Sequence, residues 1–304
     1  MTVKTVKQEK ITWYYFTEFS DNELRFLQEN FKFHPLDLKD CGGEIQRSKI
    51  DIYKNYIFLV LQLPDFDNQS NQIVVKQMYI FIGKDYLITI TKEKLKFLNN
   101  LFYKFVNNQR LRDRVFPQGS GYLLYRVLDY VLRQRWGFFY YLDEKLKTIE
   151  ADIDEGRGKK VVFRIAKLRR LILQFKSIID PHRLVMNTLS QNNIPILGQG
   201  IGVYFDDIDD YIEKVWFSLE SYRDRVLSLQ DINESLISYQ TNKVMRILTV
   251  FSVALLPLTF LTGLYGMNIN LPFANNQNVI WSFFGATAII ITVIFLLLKK
   301  KDWI

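Results

Sequence analysis

Fifty-two consecutive residues, Ile247 to Leu298, contain no Asp, Glu, Lys, Arg or His, although the chain before them is densely charged. A charged side chain at a bilayer centre costs roughly 2.5–3.5 kcal/mol on insertion scales, and this segment has excluded them all. It is too long for one crossing, which takes about 20 apolar residues. The polar run from Asn268 to Asn278 divides it. The sequence therefore predicts a first span over 247–265, a short loop over 266–278, a second span over 279–298 and a basic end over 299–304.

Basic residues set the orientation. Lys243 and Arg246 precede the first span, Lys299, Lys300 and Lys301 follow the second, and the loop has none. Positive-inside asymmetry places both termini and the large preceding domain in the cytosol, and the expected location is the cell (inner) membrane, in contact with lipid. The first ten residues carry no apolar h-region, so no cleaved signal peptide is expected. A lone cysteine, Cys41, excludes an internal disulfide and suits a reducing compartment. The net charge of +8 is spread through helical segments and forms no basic groove with alternating aromatics, which argues against nucleic acid as a partner.

Ahead of the membrane segment, residues 1–120 read as a cytosolic α/β domain built on a small sheet. Tyr56 to Leu63 is an apolar run of strand length, with Pro64 to Asn68 read as the turn that ends it. Gln77–Gly83 and Tyr86–Thr91 flank Lys84-Asp85 as a hairpin, and Leu95 to Arg114 returns to helical spacing. Residues 121–202 read as long helices. One runs from Tyr122 to about Asp154, broken by Gly156-Arg157-Gly158, and another from Val161 to Leu189, with Pro181 as a kink or break. Pro195 and the glycines at 198, 200 and 202 precede a stalk over 203–246. From Val203 through Leu256, 54 residues, there is neither Gly nor Pro. A helix of that length measures about 80 Å, so stalk and first span read as one rod.

Counting back from Gly266-Met267-Asn268 in alternating steps of three and four gives Gly263, Thr259, Leu256, Ser252, Thr249, Met245 and Asn242, then Ser238, Ser235, Asp231, Ser228 and Asp224. The stripe is small or polar apart from Leu256 and Met245. Two readings fit it: a water-accessible axis, or small residues that let two helices pack closely. Asp231 and Asp224 favour the axis, since a tight seam rarely places two carboxylates on its contact line. One stalk helix cannot enclose a channel, so several copies must converge. Each carboxylate then becomes a ring that concentrates cations, and Leu256 and Met245 become apolar constrictions.

Other signals carry less. Gly156-Arg-Gly-Lys-Lys160 lacks the spacing and hydroxyl of a phosphate loop. His34 and His182 sit beside prolines, away from any Cys–His cluster. No Ser–His–Asp or Cys–His grouping stands out, so the chain reads as no enzyme and calls for no organic cofactor. Arg164, Lys167, Arg169 and Arg170 read as a solvated helix face that meets stalk acids.

Tyr265-Gly266-Met267-Asn268, closing a span that contains Pro257-Leu-Thr-Phe260 and followed by a short loop and a span ending in Lys299-Lys-Lys-Asp-Trp-Ile304, resembles the CorA family of divalent-cation transport proteins. Thr241–Met245 is similar to that family's stalk–membrane junction. His34-Pro35-Leu36 through Gln46-Arg47, and Asn55–Val60, are similar to its N-terminal domain, so the resemblance covers nearly the whole chain.

The resemblance implies a homopentameric, funnel-shaped channel with a cytosolic α/β/α domain, whose cargo is hydrated Mg²⁺, with Co²⁺ or Ni²⁺ as further cargo. It implies an outer selectivity site at Gly266, Met267 and Asn268, and pore positions at Asn242, Met245, Leu248, Thr249, Leu256, Thr259 and Gly263, beside Ser252 of the stripe. It implies funnel carboxylates at Asp224 and Asp231 and a basic neck at Lys299–Lys301. Asp207 aligns with a regulatory acid that binds Mg²⁺ against a neighbouring subunit, with Asp67 as its candidate partner. The plainer reading of Asp206, Asp207, Asp209 and Asp210 is carboxylates favoured by a helix N-terminus. Mg²⁺ dehydrates reluctantly, and neutral amide oxygens of Asn268 suit its waters without stripping them. The loop from Ile269 to Asn278 has no acidic residue, where many family members carry one. The zinc-transporting branch of the family, and a membrane-tethered ion sensor that conducts nothing, are the alternatives.

Overall fold

The computed structural model describes residues 3–67, 70–93, 95–134, 136–156, 158–191, 194–268 and 276–300. Two compact units, Met1–Leu229 and Gln230–Ile304, divide the chain.

In the first unit six strands form one sheet: β1 (Val3–Gln8), β2 (Ile11–Phe16), β3 (Lys49–Ile52), β4 (Tyr56–Asp67), β5 (Gln72–Gly83) and β6 (Tyr86–Thr91). Their spatial order is β1-β2-β6-β5-β4-β3. The β2–β6 pair is parallel, with Tyr14 opposite Ile88, and the other pairs are antiparallel. Side chains alternate across a strand, and β4 is apolar on both faces. Ile57, Leu59, Leu61 and Leu63 enter one buried cluster, and Tyr56, Phe58 and Val60 enter the other. A strand apolar on both sides needs a layer on each.

One layer is α1 (Asp21–Asn30) and α2 (Pro35–Gly42), which bury Leu27, Leu38 and Cys41 against the second cluster. Ser20 and Glu23 form a capping box on α1. His34 accepts from the Leu36 amide at 3.3 Å to cap α2, with Pro35 in its first turn. The other layer contains α3 (Lys96–Asn107), α4 (Gln109–Val115), α5 (Ser120–Arg133), α6 (Trp136–Asp154), α7 (Gly158–Gln191) and the start of α8 (Gly202–Tyr265). Trp13 lies wholly buried between sheet and helices, donating from Nε1 to Thr89 Oγ1 at 3.0 Å and meeting Phe102 and Phe105 edge-on.

Four sequence expectations are corrected. Pro64 does not end β4, because Pro64 pairs with Val75 and the ladder continues to Asp67–Gln72. β3 covers only Ile57–Val60, so at Pro64 the strand is an edge, where a missing N–H is tolerated. The helix expected over Leu95–Arg114 is two, because Asn108 takes an extended conformation and its side chain caps α4 through the Leu111 amide at 3.0 Å. The helix expected from Tyr122 to Asp154 is also two, ending at Arg133 and resuming at Trp136, with no proline at the join to signal it. Pro181 does not break the helix: α7 continues through it to Gln191. An interior proline costs about 3 kcal/mol or more, and here Ile178, Ile179, Val185 and Met186 are all buried around it, which holds the helix in place.

The second unit takes the remainder of α8 and α9 (Gln277–Lys300). Both helices are long and apolar enough to cross a membrane. Phe251, Leu255, Leu256 and Phe260 of α8 and Trp281, Ile289 and Phe295 of α9 stand exposed. Apolar surface on this scale requires lipid or further protein to cover it.

Candidate functional site

Asn242, Met245, Thr249, Ser252, Leu256, Thr259 and Gly263 all lie within α8, and their three-and-four spacing puts them on one face, with Leu248 beside them. Thr249 Oγ1, Ser252 Oγ and Thr259 Oγ1 donate to the carbonyl oxygens of Met245, Leu248 and Leu255 at 2.8, 2.9 and 3.0 Å. Each hydroxyl thus spends its proton within the helix, which removes the cost of an unpaired donor in an apolar medium. Its oxygen keeps lone pairs that can accept from water, so the stripe presents acceptors suited to a hydrated cation.

α8 closes on the residues singled out by sequence. Gly266 N donates to Thr262 O at 2.9 Å and Met267 N to Leu264 O at 3.3 Å, so Gly266-Met267-Asn268 turns directly off the helix. A Cβ on Gly266 would stand 2.9 Å from that same Thr262 oxygen, closer than real Cβ atoms come. Ile269 to Asn275 lie outside the described residues, with Asn270 and Asn275 of the acid-free loop among them; Asn276 O accepts from Val279 and Ile280 at the start of α9. Lys299 and Lys300 occupy the last turn of α9, where positive charge suits the helix dipole. Lys301 lies outside the described residues.

The acids are less uniform. Asp231 is exposed on α8, whereas Asp224 is paired with Arg223 at 2.9 Å, and Arg223 also reaches Glu220 at 2.7 Å. Asp67 closes β4 and accepts from Ser70 Oγ at 2.7 Å. Asp207, in the second turn of α8, accepts from Arg133 Nη2 of α5 at 2.7 Å. Arg133 also pairs through Nε with Asp129, one turn back on its own helix, and its guanidinium lies over the Tyr211 ring at 4.8 Å. Sequence reading missed Arg133. The Asp129–Arg133 spacing signals a pair within one helix, but nothing in it points to α8.

Hard carboxylate oxygens suit Mg²⁺, and Asp207 offers one oxygen that Arg133 does not engage. No group of three or more His, Cys, Asp or Glu forms a cage among the described residues. Among the described residues of one copy, Asp207 is therefore not part of a metal cage. Asp209 is held differently. Burial raises its carboxyl pKa above the usual range, as do the charges of Glu213, Asp210 and Asp206, with Arg183 opposing. His182 is buried in the core, and no metal cluster forms around either histidine among the described residues.

The basic face of α7 meets α8 through other residues than expected. Arg164 pairs with Asp152 of α6, while Lys176 takes Glu220 and Arg183 takes Glu213, the latter at 2.5 Å. Lys176 and Arg183 both pack on the Trp216 ring, at 4.6 and 4.5 Å.

A model of the CorA-like Mg²⁺ transporter protein family matches residues 8–300. A cobalt/magnesium transport protein CorA of Thermotoga maritima is 28% identical over 281 residues, 91% of this chain and 78% of that protein. A zinc transport protein ZntB of Yersinia pseudotuberculosis is 25% identical over 265 residues, 86% of this chain and 77% of that protein. The complete structure of the CorA magnesium transporter from Methanocaldococcus jannaschii shares the fold, with a TM-score of 0.81 at 24% identity, covering 98% of this chain and 94% of that one.

Proposed function

The chain belongs to the CorA family of divalent-cation transporters, and from that premise we propose that five copies assemble in the inner membrane, with their termini in the cytosol, as a gated channel for hydrated Mg²⁺. The observation that carries this reading is the stripe from Asn242 to Gly263. It is a file of amide, hydroxyl and small side chains at helical spacing, on a helix otherwise apolar enough to span, ending at Gly266-Met267-Asn268. Around a fivefold axis that file becomes rings of oxygen acceptors, with Leu256 and Met245 as the apolar constrictions between them. Asn268 amides receive the ion with its waters in place. Membrane potential drives inward flux, supplying roughly 4.6 kcal/mol per divalent ion per 100 mV. Asp224 and Asp231 concentrate cations along the stalk, and Lys299 and Lys300 ring its neck.

Gating is assigned to Asp207. Carboxylates that face each other across a subunit boundary repel unless a cation bridges them, so abundant cytosolic Mg²⁺ joins Asp207 to a neighbour's Asp67 and holds the assembly shut. Zinc transport is the second reading, favoured by the likeness to ZntB and opposed by the intact Gly266-Met267-Asn268.

Purified protein in liposomes loaded with a Mg²⁺-sensitive dye tests the proposal. Entry of Mg²⁺ that is suppressed by internal Mg²⁺ is expected. Entry of Zn²⁺ alone supports the second reading, and no flux of any divalent ion contradicts both.

A further inference from the structure

Arg133 lies where two carboxylates of different helices converge, Asp129 of α5 and Asp207 of α8, and binds both. Its ring contact with Tyr211 and its pair with Asp129 fix the guanidinium beside Asp207 before any metal arrives. We propose that Arg133 is a built-in counter-ion that competes with divalent cation for Asp207, and so raises the Mg²⁺ concentration needed to lock the assembly. This rests on the reading of Asp207 as a regulatory ligand. The physical reason is charge. A guanidinium hydrogen-bonded at 2.7 Å cancels much of the field that would attract a cation to the same carboxylate. It also occupies one of the two oxygens. To coordinate Asp207, the incoming ion must share it with Arg133 or displace the guanidinium towards Asp129, which stands ready to keep it. A bare carboxylate at this position would saturate at lower Mg²⁺.

The test uses the full chain in detergent, titrated with MgCl₂ and read as protection from limited proteolysis, with liposome flux as a second measurement. Arg133→Gln should move the midpoint of protection to lower Mg²⁺, by about 1.4- to fivefold, the range to which exposed ion-pair couplings convert. Arg133→Lys, which keeps the charge, should stay near the parent. In an Asp207→Asn background, Arg133→Gln should shift nothing further. If Arg133→Gln is too unstable to titrate, Asp129→Asn carries the test. Arg133, released from one carboxylate, then binds the other harder, and the midpoint should rise. An unchanged or higher midpoint for Arg133→Gln, or a lower one for Asp129→Asn, overturns the proposal while an Asp207→Asn shift leaves the regulatory site standing. An Asp207→Asn midpoint equal to the parent overturns the regulatory reading, and the role of Arg133 with it.

Discussion

Thr259 Oγ1 donates to the Leu255 carbonyl oxygen at 3.0 Å, a bond that ties the hydroxyl's proton to its own helix and leaves the oxygen as an acceptor. Thr259→Val removes that acceptor at nearly constant shape. Stability should change by no more than about 0.5 kcal/mol, as for surface substitutions generally. The variant removes the acceptor from every copy in the ring, so Mg²⁺ flux should fall by at least about three- to tenfold, the equivalent of a single hydrogen bond lost to the passing ion. Stopped-flow dye uptake checks this; unaltered flux would remove Thr259 from the conduction path.

Gly266 and Asn268 separate the shape of the turn from its chemistry. Gly266→Ala places a methyl group against the Thr262 carbonyl and should displace the turn, lowering uptake while helix content by circular dichroism stays constant. Asn268→Ala leaves the backbone alone and should abolish uptake. Normal uptake by the alanine variant would defeat the assignment of Asn268 as the ion's docking group.

Asp37 is 2% exposed and accepts from Tyr56 at 2.7 Å and Tyr53 at 3.0 Å. Tyr56 in turn accepts from the His34 amide at 2.8 Å. Tyr56→Phe takes a donor from a buried carboxylate and an acceptor from the N-terminus of α2. Thermal unfolding should show a loss of about 1–3 kcal/mol. Tyr53→Phe, at the more exposed of the two phenols, should cost less.

Asp209 predicts a pH dependence of stability. Burial, then the charges of Glu213, Asp210 and Asp206, raise its carboxyl pKa in the folded state above the ordinary 3.8. The ionised form is therefore penalised by folding. That penalty is fully present above the raised pKa and disappears as pH falls below the ordinary value, where both states hold the proton. Asp209→Asn should raise the melting temperature at pH 7 and lose that advantage as pH falls below the ordinary carboxyl value of 3.8. An advantage undiminished at about pH 3 would contradict the assigned cause.

Parts of this fold were legible for reasons the structure makes plain. The strand at Tyr56 announced itself because both of its faces are buried, and the hairpin at Lys84-Asp85 because two apolar runs bracket a polar pair. The absence of Gly and Pro between Val203 and Leu256 points to unbroken helix, and α8 runs from Gly202 to Tyr265. Pro64 and Pro181 misled because a local rule yielded to context, an open sheet edge in one case and a buried helix surround in the other. Asn108 was passed over as an ordinary helical polar residue, although asparagine readily caps. β1 has Lys4 and Lys7 three residues apart, on opposite faces, and is buried only at Val6, so its sequence lacks the alternation of a strand. The contact between Arg133 and Asp207 joins residues 74 positions apart, and no periodicity reports such a meeting.

Conduction requires Thr259 to face water at the centre of an assembly of α8 helices, and a thiol placed there reads this out directly. Native Cys41 is buried, which leaves the background quiet. Thr259→Cys protein in liposomes, treated with a membrane-impermeant cationic thiol reagent while conducting, should be modified rapidly and lose its Mg²⁺ flux, with protection by high Mg²⁺. A thiol that resists the reagent while flux continues would place Thr259 against lipid and contradict the channel.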